Sequence, residues 1–223
     1  MNGGGPALDS RRFWARQESK FLAILRRSLE ILQGEVRLPE AEVELNRRLY
    51  FCLLSATSEL YPNEQLVPIA EACNQPDADD QARAVREQKR PDFQWIYRDR
   101  YESDAHRMSK QLVVECKRIG TPERSDRIFN ANYIEHGVRR FVDETRGYAK
   151  GSPSAVMVGY WQSMEANDVL KEVNDAARLR SIPILILADQ GWQAAAVTRL
   201  DHQLIRSFPI SPFHLSHLWV DLR

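Results

Sequence analysis

No apolar run in the 223-residue chain approaches the roughly 20 residues a membrane-crossing helix needs. The opening Met1-Asn2-Gly3-Gly4-Gly5-Pro6 has neither the basic nor the apolar part of a secretory signal. Cysteine is scarce. Cys52, Cys73 and Cys116 are odd in number and widely spaced, which excludes a complete disulfide framework and any zinc-ligand pattern. A reducing cytoplasm is the expected setting. Net charge is absent as well, at zero, so bulk positive charge cannot hold this chain on nucleic acid, though a local cationic groove stays open. Lysine is rare, with six among 31 Lys and Arg residues, and guanidinium, the commoner cation, suits bidentate phosphate contacts. There is no internal repeat and no glycine-rich phosphate loop.

Two short apolar runs carry the chemistry. Phe93-Gln94-Trp95-Ile96-Tyr97 follows Pro91-Asp92, and Leu112-Val113-Val114 leads into Glu115-Cys116-Lys117. Both are rich in β-branched or aromatic residues and bounded by polar sequence, so both read as strands. Pro91 lacks an N–H for a ladder and fits a strand's first position. Alternation puts Val113, Glu115 and Lys117 on one face and Val114 and Cys116 on the other. A carboxylate and an ammonium thus leave a buried strand together, and Asp92 joins them if its strand lies alongside. Two close, buried carboxylates repel and favour protonation. A hard divalent ion such as Mg²⁺ relieves this, taking one or two carboxylates plus waters and phosphate oxygens. It would polarise a phosphoryl oxygen and activate water. Lys117 would orient or deprotonate that water, or neutralise charge on the phosphate.

The pattern Pro91-Asp92, spacer, Glu115-x-Lys117 resembles the PD-(D/E)xK, or restriction endonuclease-like, nuclease superfamily. The resemblance covers about residues 39–161. It implies an α/β fold whose mixed central sheet is flanked by helices in αβββαβ order. A first helix would precede this core and αβ additions would follow over 162–223. It also implies that Asp92 and Glu115 ligate Mg²⁺ (or Mn²⁺), that Cys116 contributes its main-chain carbonyl, and that Lys117 assists the water. Relatives place an acid on the helix before the sheet. Glu42 is the candidate, although a first-turn acid stabilised by the helix dipole explains it equally well. The helix after the Glu-x-Lys strand contributes polar groups in such proteins, which nominates Tyr133 and Arg140, with Lys110 and Arg118, for nucleic acid. The implied activity is hydrolysis of DNA in restriction or defence against phage. Implied partners are DNA, a separate targeting or sensor protein, and a second copy of the chain. A catalytically silent DNA-binding or assembly subunit is one alternative, and an enzyme for small phosphorylated substrates is another.

The rest of the chain frames these strands. Residues 1–12 are expected to be disordered, followed by a single domain over 13–223. Helices are expected over about 13–32, 39–60 and 126–144, the second with Leu45, Leu49, Cys52, Leu53 and Ala56 inward. Gly137 inside the third costs roughly 1 kcal/mol against Ala, which suggests close approach of a neighbour. Asn74 to Asp80 is a loop, and Asp99, Glu102 and Asp104 are rival carboxylates in the link between the motif strands. Residues 155–161 form a strand, Ser163 can cap a helix, and Pro183–Leu187 is a strand that suggests a parallel crossover. Residues 194–206 and 215–222 look like short strands near an edge. His202, His214 and His217 lack metal spacing and read as structural or exposed.

Overall fold

A computed structural model describes residues 6–74, 83–121, 128–188, 191–192, 196–208 and 210–223. Helix α1 spans Pro6–Gln33 and α2 spans Glu42–Leu60. The chain then forms β1 (Ile69–Ala70), the short α3 (Arg83–Glu87), β2 (Phe93–Arg98), the one-turn α4 (Ala105–Met108) and β3 (Ser109–Ile119). A helical segment follows: α5 (Phe129–Asn132), a π turn over Tyr133–Gly137 and a 3₁₀ turn over Val138–Phe141. Strand β4 (Ser154–Trp161), helix α6 (Ala166–Arg178), and strands β5 (Ile186–Leu187), β6 (Val197–Leu204) and β7 (Phe213–Asp221) complete it.

The result is an α/β protein with a mixed seven-stranded sheet, ordered β1-β2-β3-β4-β7-β6-β5 among the described residues. The motif strands are an antiparallel pair, Phe93 opposite Val114, while β3, β4 and β7 run parallel. Strand alternation sorts the core into two layers. Leu112, Val114 and Cys116 of β3 join Val156, Val158 and Tyr160 of β4 beneath α1 and α2. Val113, Met157, Trp161 and Trp219 face the other way, beneath the helical segment and α6. Helix α2 buries the stripe read from its sequence, Leu45, Leu49, Cys52, Leu53 and Ala56.

Several expectations are corrected. Residues 6–12, expected to be disordered, are helical. Ser10 donates to the buried Asp99 carboxylate, which anchors the start of α1. Residues 1–5 and most of the expected 74–80 loop lie outside the described residues. Helix α2 starts at Glu42 and not at Pro39. Glu165, not Ser163, occupies the N-cap of α6. Strand β5 is not the parallel partner of β4. It is a two-residue antiparallel edge on β6, with Ile184 and Ile186 exposed. On the side of β4 away from β3 the parallel neighbour is β7, expected near an edge and in fact buried between β4 and β6. An apolar run of this kind is compatible with either place, because local pattern does not say which strand it will pair with.

Candidate active site

Glu115 and Lys117 leave β3 on the face of the helical segment, as alternation requires. The stem of Lys117 passes Gly137, where a Cβ would come within 3.4 Å of Lys117 Cγ and 2.6 Å of Met157 Cε. Gly137 is thus needed for close approach, and it ends a π turn, a distortion often found at functional sites. The Lys117 ammonium donates to Glu42 Oε1 at 2.8 Å, to Glu115 Oε1 at 2.9 Å and to the Cys116 carbonyl at 2.7 Å. Glu42 sits in the first turn of α2. Its other oxygen accepts the Arg118 N–H at 3.2 Å.

Asp92 lies at the same end of the sheet, one residue before β2 begins. Its Oδ2 accepts the Cys116 N–H at 2.6 Å and its Oδ1 accepts the Asn46 amide at 3.0 Å. Tyr160 donates to Asn46 Oδ1 at 2.8 Å, which fixes the Asn46 amide with its nitrogen toward Asp92. Asn46 was missed as a site residue. The available signal was its place one helical turn after Glu42 on the inward line of α2.

The electrostatics reflect burial against pairing. Glu115 is fully buried, and burial pushes its carboxyl above the ordinary range despite Lys117 and Arg140. Asp92 rises from 3.8 to about 7, first through burial and then through repulsion from Glu115. Burial works to lower the Lys117 ammonium, but Glu115, Asp92 and Glu42 outweigh it and hold it above its ordinary value. Lys117 therefore stays protonated in this arrangement, and Asp92 is the nearby acid that holds its proton up to about pH 7.

The oxygen donors suit a hard cation. Lys117 and Arg140 both bind Glu115 Oε1, leaving the buried Oε2 without a hydrogen-bond partner among the described residues. That orphaned oxygen, the Asp92 carboxylate and the Cys116 carbonyl have the chemistry for Mg²⁺. No group of three His, Cys, Asp or Glu side chains is gathered for a metal among the described residues, because the Lys117 ammonium stands between Glu42 and Glu115.

The remaining candidates are placed as follows. Cys116 buries its thiol in the α1–α2 layer and offers the site only its main chain. Arg118 lies at the rim, donating to the Glu40 carbonyl, with its guanidinium 4.3 Å from the Phe129 ring centroid. Arg140, expected to face nucleic acid, instead donates to Glu115 Oε1 at 2.5 Å and to the Tyr148 hydroxyl at 3.3 Å. It is a counter-ion of the site. Lys110 sits seven residues before Lys117 on β3, about 23 Å away at strand rise. It is remote from the cluster. Asp99, at the far end of β2 from Asp92, is tied to Ser10 and the Tyr101 N–H, which sets it apart from the cluster.

Tyr133 is also corrected, being fully buried and so out of reach of a polynucleotide. It belongs to a chain of hydrogen bonds whose direction follows from its ends. The Pro183 carbonyl can only accept, so His202 Nε2–H donates to it at 2.7 Å. Burial lowers the proton affinity of both His202 and His217 and keeps them neutral. His202 Nδ1 therefore accepts from His217 Nε2–H at 3.3 Å, and His217 Nδ1 accepts the Tyr133 hydroxyl at 2.7 Å. Tyr133 in turn accepts the Trp219 indole N–H at 3.0 Å. Every member is satisfied. Two of the three histidines are thus structural, and His214 is partly buried near Glu18 and Asp201.

No helix among the described residues is long and apolar enough to cross a membrane. No protein-family model, curated protein or solved structure significantly matches the chain, so the site is read from its own geometry.

Proposed function

We propose that this chain is a Mg²⁺-dependent endonuclease that hydrolyses DNA phosphodiesters, with Mn²⁺ able to substitute. One observation carries the reading: Glu42, Glu115 and the Cys116 carbonyl converge on the Lys117 ammonium, while Asp92 is bonded to the Cys116 N–H beside them. The element order adds support. Apart from the short α3 and α4, the run from α2 to β4 is a helix, three antiparallel strands, a helical segment and a parallel strand, which is compatible with the αβββαβ order that the resemblance implies.

Asp92, Glu115 and the Cys116 carbonyl would hold the ion, which supplies a Lewis acid for the phosphoryl oxygen and a source of nucleophilic water. Water attacks phosphorus, the P–O bond to the leaving oxygen breaks, and a phosphate monoester and an alcohol result. Lys117, kept protonated by its carboxylates, neutralises charge growing on the phosphoryl group and orients the water. Arg140 holds the Glu115 carboxylate in place. Asn46 and the Cys116 N–H fix Asp92. A targeting protein or a second copy of the chain belongs to the same proposal, since cutting both strands takes two sites.

A second reading, a silent DNA-binding or assembly subunit, is favoured by the two cations already on Glu115. Purified protein incubated with DNA or RNA and Mg²⁺ or Mn²⁺ decides between them. Cleavage lost in Asp92→Ala, Glu115→Ala and Lys117→Ala is the expected result. Equal cleavage by these variants and wild type removes the site, and salt-sensitive binding without cleavage selects the second reading.

A further inference from the structure

Beside Asp92, a cleft of about 290 Å³ opens along the outer side of α2. This is near the lower limit of small-ligand sites. Asp92 and its hydrogen-bond partner Asn46, both at the candidate site, line it. Phe93 also lines it, as do Tyr50 and Phe51 further along the helix. Their centroids are 5.6 Å apart in an edge-to-face arrangement, and Phe51 is 59% exposed. From Asn46 to Tyr50 the helix rises about 6 Å, comparable with the reach from a phosphate to the base of its own nucleotide.

Arg47 and Glu71 are also among the lining residues. Arg47, on the opening, is largely exposed, with Glu44 at 3.9 Å. Glu71 has its backbone at φ +48°, a left-handed conformation that non-glycine residues adopt only with strain. Its N–H donates to the Asp92 carbonyl at 3.1 Å, which ties this rim to the site residue.

We propose that this cleft takes an unpaired nucleobase of the cleaved strand, so that the substrate is single-stranded or carries an extruded base. The proposal rests on the phosphodiesterase reading for its choice of ligand. Aromatic rings stack any base, whereas a base within a duplex is already stacked and has to be extruded before it can meet them.

The test uses a single-stranded oligonucleotide containing 2-aminopurine, with the blunt duplex of the same sequence, in Ca²⁺ as a non-hydrolysing ion. Wild type should prefer the single strand and quench the 2-aminopurine. Phe51→Ala should weaken binding about 5- to 150-fold, the equivalent of one lost base–aromatic stack. Phe51→Trp should retain it. Phe51 is exposed, so matched thermal unfolding of both variants establishes that the fold is intact. Unchanged affinity in Phe51→Ala, or preference for the duplex, overturns the proposal. Saturation by a short extended apolar peptide with no response to oligonucleotide also overturns it, in favour of strand addition at β1. Cleavage assays on the Asp92, Glu115 and Lys117 variants judge hydrolysis separately. Base binding lost in Phe51→Ala without any cleavage by wild type would sink the hydrolytic reading alone. Cleavage that ignores Phe51→Ala would sink the cleft alone.

Discussion

Replacing Asp92 by Asn removes a buried charge while keeping the side chain's shape. In the folded chain Asp92 gives up its proton at about 7 instead of 3.8, because it is buried and faces Glu115. At about 1.36 kcal/mol per pH unit, that gap corresponds to roughly 4 kcal/mol. The folded state holds this proton more tightly than the unfolded state does. The favourable contribution is therefore complete below pH 3.8, declines as pH rises, and is gone above about 7. Asp92→Asn has no proton to lose. Its stability relative to wild type should rise by up to about 4 kcal/mol between pH 4 and 9 in EDTA. The amide can be accommodated. If Asn46 turns over, its oxygen accepts from the new amide while the Tyr160 hydroxyl accepts from its nitrogen. Urea titrations of both proteins at stepped pH give the difference directly, and titrating groups that do not interact with Asp92 cancel in it. Parallel stability curves would refute the claim that burial beside Glu115 keeps Asp92 protonated. Saturating Mg²⁺ above pH 7 should stabilise wild type and leave the variant unmoved, by linkage to the ion.

Lys117→Met should cost about 3–5 kcal/mol at pH 8, because it strips a partly buried cation from Glu42 and Glu115. Adding Glu115→Gln should recover part of that loss, measurable as a coupling energy in a double-mutant cycle. Gly159→Ala would bring a Cβ to 2.5 Å from Trp219 Cδ1, in a ring held by its bond to Tyr133. Overpacking of about 1–3 kcal/mol should appear in chemical denaturation. Tyr133→Phe leaves His217 Nδ1 and the Trp219 N–H without their partner, costing about 1–3 kcal/mol for each group, read in the same assay. His202 is lowered from 6.5 to about 4, mainly by burial, so the unfolded chain binds its proton first. Stability should thus be full above pH 6.5 and fall through about pH 4. In His202→Asn this acid loss should shrink when the melting temperature is followed against pH.

Much of the site was legible because it depends on local periodicity. A period of two places Glu115 and Lys117 together whatever the rest of the chain does, and Pro91 marks where the neighbouring strand must begin. The α2 stripe and Glu42's place in line with Asn46 follow from a period of 3.6 in the same way. The α/β class was readable for that reason, as was the absence of a membrane-length helix. Tertiary structure alone decided which partners those positions meet. Arg140 and Tyr133 lie on one helical line, yet the π turn and the approach of β7 send one to Glu115 and bury the other against His217. The inner place of β7 and the edge place of β5 depend on pairings between strands far apart in the chain, and both runs are apolar enough for either position. The Lys117 ammonium among the acids depends on packing in the same way. Burial and neighbouring charge set its proton affinity, and neither is a property of one strand.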